Sequence, residues 1–140
     1  MIASDRIAEL REAKAKRDAA REEKEEKANE LEYLELEAKF DAELGPRGRA
    51  FEIINATSLG EGFIVLKLGS GILWRNFEKA LQKKDGPSVV DVESLIIPNL
   101  VHPSPEKYRQ IVMDRPFVAD RCASALGDLY GVKAEHDKGK

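Results

Sequence analysis

Two side chains carry the chemistry of a nucleophile and a base, Cys122 and His102. A catalytic cysteine needs a base within reach and an electropositive setting. Cys122 instead belongs to the series Val118, Cys122, Ala125, Leu126, Leu129, whose i, i+4, i+7, i+8, i+11 spacing is the apolar stripe of a helix. It reads as a small buried hydrophobe. His102 stands between Val101 and Pro103, and the other histidine, His136, lies in a polar terminal segment. No second His or Cys stands at ligand spacing, so no metal site is expected and His102 reads as a loop histidine. Gly60-Glu61-Gly62 and Gly69-Ser70-Gly71 lack the Gly-Lys-Ser or Gly-Lys-Thr of a phosphate-binding loop and the βαβ setting of a dinucleotide fingerprint. Both read as turns, and no cofactor is expected. Arg47 and Arg49 form a basic spot, either a phosphate site or, the preferred reading, a solvated loop beside Glu37, Asp41 and Glu43. The carboxylates form no pair on an expected concave wall. With no catalytic set to assemble, the chain is not expected to be an enzyme.

What remains is recognition of another polypeptide. Ile7 and Leu10 make an apolar patch near the start of a charged segment. Trp74 and Phe77 lie one helical turn apart and read first as core, although an exposed Trp marks an interface hot spot. Tyr108 and Tyr130, on the last two expected helices, complete the candidate partner-binding set.

The 140 residues are 42% hydrophobic, enough for one core and not two. Charged residues reach 35%, above the roughly 25% usual in globular chains, and crowd toward the N-terminus. A net charge of -3 and a pI near 5.5 do not attract a phosphate backbone over a broad surface, so no nucleic-acid partner is expected. A single cysteine staples nothing and fits a reducing compartment. The first residues lack the apolar run of a signal peptide, and no stretch approaches the ~20 apolar residues of a bilayer span. A cytoplasmic location without membrane association is expected.

The elements that position these residues follow from helix formers, caps and breakers. Residues 5–44 contain no Gly or Pro and are dominated by Ala, Glu, Lys, Arg and Leu, which predicts one long helix capped by Ser4, with Asp5 in its first turn. Glu12 to Lys16 and Glu23 to Lys27 are i,i+4 pairs in the better orientation. From Arg11 to Glu30 the only apolar residues are alanines, so a coiled-coil seam begun by Ile7 and Leu10 is not sustained. The helix reads as a solvated arm docked at its C-terminal end, where Leu31, Leu34, Phe40 and Leu44 resume apolar spacing. Gly45-Pro46-Arg47-Gly48 stops it.

Strands are expected at residues 50–55 and 62–68, joined by a loop over 56–61. Ile72-Leu73-Trp74 is either a third strand or the opening of the helix carrying Phe77 and Leu81. Ser88 with Asp91 makes a capping box ahead of an apolar face of Val89, Val92, Leu95 and Ile96, ended by Pro98. Ser104 and Pro105 start a helix through Tyr108, Ile111, Val112 and Met113. Asp114 and Pro116 repeat the device for a last helix closed by Gly131. The expected fold class is α+β: a long charged N-terminal helix, a short antiparallel β meander of two or three strands, then a small bundle of three to four helices. Its parts are an arm (1–44), a compact domain (45–131) and a flexible tail (132–140).

The run from Val92 to Pro103, the helix from Pro105, Arg115-Pro116 and Leu126-Gly127-Asp128-Leu129-Tyr130-Gly131 together resemble the tail assembly chaperones of long-tailed bacteriophages. The segment from Gly48-Arg49-Ala50-Phe51 to Trp74-Arg75-Asn76-Phe77 is similar too, as a short β segment followed by an aromatic-rich helix start. The resemblance covers residues 44–131. Where that family has an apolar or aromatic residue between Val and Pro, this chain has His102; the arm is not part of the likeness. The resemblance implies a non-catalytic chaperone that covers the tape measure protein, a long helical chain, and recruits tail tube subunits. A homo-oligomer remains open. The alternative is a structural or accessory protein of the particle, a connector or capsid-associated part, whose arm packs between subunits.

Overall fold

The computed structural model describes residues 3–131; the expected tail, His136 included, lies outside them. Helix α1 spans Ala3–Leu44. The chain divides into two compact units, the first ending at Leu36 and the second beginning at Glu37. In residues 3–36 no side chain is buried: from Arg11 to Glu30 the only apolar residues are alanines, and Leu31 and Leu34, expected at the docked end, stand 59% and 51% exposed. Glu12–Lys16 and Glu23–Lys27 form the expected ion pairs at 3.5 and 3.1 Å. Ser4 is not the cap: it lies within the helix, which already includes Ala3.

The second unit opens with the last turns of α1, where Phe40 is buried against Phe51 with ring centroids 6.2 Å apart. Gly45 and Gly48, at φ of 120° and 87°, turn the chain where an L side chain would be strained. Strands β1 (Phe51–Asn55) and β2 (Phe63–Lys67) pair antiparallel, Ile53 opposite Val65. A 3-10 turn at Thr57–Leu59 lies between them. Ile54, Ile64 and Leu66 join the main core, and Phe51, Ile53, Phe63 and Val65 are buried as well. Burial on both faces explains why β2 reads as an unbroken apolar run rather than an alternation.

The third strand is not Ile72-Leu73-Trp74, which lies in α2 (Gly71–Leu81), capped by Ser70. It is β3, Leu100–His102, which follows α3 (Val89–Asn99) and pairs antiparallel with β2 in the sheet order β1-β2-β3. His102 therefore lies in a strand opposite Val65 rather than in a loop. The capping box of α3 is present in both directions. Pro98 does not end α3 but occupies its last turn, where a missing N–H and a ring clash cost little of the helix. Helix α4 (Pro105–Asp114) has Ser104 as its cap and Pro105 in its first turn. For α5 (Phe117–Leu129) the expected repeat of that device fails. Asp114 closes α4, Pro116 has no capping side chain, and the carbonyls of Arg115 and Pro116 receive the N–H groups of Val118 and Ala119.

The core of the second unit gathers Leu95, Ile96, Tyr108, Ile111, Val118, Cys122, Leu126 and Leu129 behind the sheet. Two expected core positions point outward instead. Val89, the first residue of α3, is 74% exposed, and Met113 is 81% exposed because Tyr108 and Ile111 set the inward phase of α4.

Candidate functional site

Cys122 lies at full burial on the inward stripe of α5, and burial pushes its thiol up to about 12. A thiol held that far above neutral pH is almost wholly protonated at pH 7. Among the described residues no ion pair joins His102 to a carboxylate, and no three His, Cys, Asp or Glu side chains are placed to hold a metal ion. The basic spot at Arg47 is engaged: its guanidinium meets Glu37 at 3.0 Å and Glu52 at 2.7 Å. The Glu52 carboxylate also accepts the Ile53 N–H, and the Gly48 N–H donates to the Phe51 carbonyl. These two bonds occupy outward backbone groups of edge strand β1 that would otherwise invite another strand.

The six candidate binding residues separate into three groups. Phe77 and Tyr108 are core, and burial raises the Tyr108 hydroxyl well above its ordinary range. They are unavailable to a partner because each stands in the inward phase of its helix. Trp74 and Tyr130 are half-buried and stack on each other at 5.8 Å, with Phe77 5.4 Å from the Trp74 ring. Ile7 and Leu10 are exposed on α1, each at 49%.

Tyr130 also anchors a feature that the sequence reading missed. Its hydroxyl donates to the Ser70 carbonyl at 2.9 Å and accepts from Asn99 Nδ2 at 3.2 Å, while the same amide donates to the Leu95 carbonyl at 2.9 Å. Asn99 is fully buried, the one polar side chain in the core among the described residues. Gly69 passes so close that any Cβ there would overlap the Asn99 amide oxygen. The network joins the start of α2, the end of α3 and the end of α5 through polar groups that burial makes costly to leave unpaired. The available signal was an Asn inside the apolar run Ile96 to Val101.

Outside the core, α3 and α4 present an apolar surface. Val90, Ser94, Ile97 and Pro98 succeed one another on α3, and with Glu93 and Arg109 they line a groove of about 230 Å³. Arg109 meets Glu93 at 3.5 Å across it. Val90 is 71% exposed, and Met113 stands one turn beyond Arg109 on α4.

No known family model matches this chain, and neither a curated protein nor a solved structure shows significant similarity to it. Among the described residues no helix is long and apolar enough to cross a membrane.

Proposed function

We propose that this chain is a non-catalytic protein-binding module of the cytoplasm, resembling a phage tail assembly chaperone that covers a long helical chain and recruits tail tube subunits. The observation that carries the reading is the outward apolar surface of α3 and α4. Val90 stands exposed in a groove that Ile97 and Pro98 also line, Val89 and Met113 are exposed on the same two helices, and the inward faces of those helices are already satisfied by the core. Apolar surface rimmed by polar residues is what an amphipathic helix seeks. The placement of Cys122 supports a binding role over a catalytic one, because the best nucleophile in the sequence is spent on packing.

The test is co-purification from cells assembling the particle, with mass spectrometry of the mature particle. A chaperone is recovered with a long helical tail protein during assembly and is absent from the finished particle. The second reading, a structural part of the particle, is favoured by the exposed Ile7 and Leu10 on α1. It requires a fixed copy number in the finished particle.

A further inference from the structure

A second groove lies at the end of the sheet, away from the α3 and α4 surface. Leu44 at the end of α1, Pro46, Ala50 and Leu68 line a depression of about 350 Å³, larger than the groove of about 230 Å³ on α3 and α4. Leu44 and Leu68 are exposed there rather than packed. Two cations complete the lining, Arg49 and Lys67. Among the described residues neither enters an ion pair, although carboxylates abound and Arg47, two residues from Arg49, is held by Glu37 and Glu52. The site therefore combines unfilled apolar surface with two uncommitted positive charges. A ligand matching both has apolar side chains on one face and carboxylates beside them.

Resting on the reading of this chain as a protein-binding module, we infer that this groove is a second docking site, whose occupant is an acidic amphipathic helix of another polypeptide. Leucine-like side chains of that helix fill the space between Leu44 and Leu68, and flanking Glu or Asp residues meet Arg49 and Lys67. Such charges set partner choice and association rate more than they set raw affinity. A basic or neutral helix of the same shape leaves both cations facing apolar or like-charged groups and is discriminated against.

The test is fluorescence anisotropy on the full chain with two synthetic helical peptides of about 20 residues, sharing one leucine face. One carries Glu on its flanks and the other Lys. The Glu peptide is expected to bind, to bind at least about tenfold more weakly to the R49E/K67E variant, and to weaken as salt rises. The Lys peptide is expected to prefer R49E/K67E. Far-ultraviolet circular dichroism verifies that the variant is folded. V90D/M113D, altered on α3 and α4, is measured alongside, and the control K14E/K24E, a charge reversal at two exposed positions of α1, keeps Glu-peptide binding. Equal binding of both peptides to the unmodified chain overturns this inference while leaving a helix-binding module intact. Loss of Glu-peptide binding in V90D/M113D but not in R49E/K67E overturns this site in favour of the α3 and α4 surface. Failure of the Glu peptide to bind the unmodified chain overturns this inference, while the proposed function is decided separately by co-purification. Sedimentation of the chain alone checks the remaining occupant, and a dimer abolished by R49E/K67E would assign the groove to a second copy and sink the inference.

Discussion

Leu126 is the residue on which the fold of the second unit can be tested most sharply. It is fully buried on α5, among the side chains that gather behind the sheet. Leu126→Ala removes three carbons, worth about 0.8 kcal/mol each in transfer, and leaves a cavity that a close-packed core fills only in part. The expected loss is about 3–4 kcal/mol. Against a total of about 5–15 kcal/mol for a domain, that is a large fraction. For a unit of this size each kcal/mol moves Tm by about 4–8 °C, so a fall of roughly 15–25 °C is expected in a thermal melt followed by circular dichroism. Leu126→Asp buries an unpaired charge in the same place and should prevent folding. The comparison is Lys16→Ala on α1, which deletes a solvent-exposed i,i+4 pair with Glu12 and is expected to change stability by no more than about 0.5 kcal/mol. An unchanged melt for Leu126→Ala, or a larger loss for Lys16→Ala, refutes the assignment of α5 as the inner wall of the core.

Other outcomes follow from single contacts. Tyr130→Phe strips the Asn99 amide and the Ser70 carbonyl of a partner, and urea unfolding should show a loss of about 1–3 kcal/mol, with a similar loss for Gly69→Ala, which crowds Asn99. Cys122 should react with a thiol reagent only as fast as the second unit opens, so that mild urea accelerates labelling; rapid labelling without denaturant contradicts its burial. Asp91 is held down to about 2 by the Lys83 ammonium at 2.7 Å and by the Ser88 N–H. Its folded value is depressed, so its contribution to stability is complete above its ordinary value of 3.8 and is lost as pH falls toward 2. A carboxyl titration by NMR should place the Asp91 midpoint near 2, rising in Lys83→Ala; a midpoint near 3.8 in the unmodified chain breaks the account of this cap.

Local signals carried much of the fold. The Ser88–Asp91 box, the Ser104–Pro105 start and the glycines after Leu44 act within one turn of the chain, so their residue types suffice to place them. Strand β3 was hidden because Leu100, Val101 and His102 form a strand only by pairing with β2, some 35 positions earlier in the chain, and a three-residue segment has no period of its own. The Asn99, Tyr130 and Ser70 network was hidden for the same reason, since its members meet only after α2, α3 and α5 have packed. The candidate binding residues show the limit from the other side. Aromatic side chains serve cores and interfaces alike, and it is helix phase that buried Phe77 and Tyr108. Val90 and Met113 carry no mark in the sequence that sets them apart from core residues, and only the packed helices leave them outside.

The most direct measurement of the proposed function is a calorimetric titration of the helical polypeptide recovered by co-purification against two forms of this chain, unmodified and V90D/M113D. The account predicts binding to the first and at least about tenfold weaker binding to the second, because two charges then stand on the apolar surface that a partner must cover. Both forms should melt at the same temperature, since Val90 and Met113 lie outside the core. Equal affinity for the two forms would contradict the claim that α3 and α4 face another polypeptide.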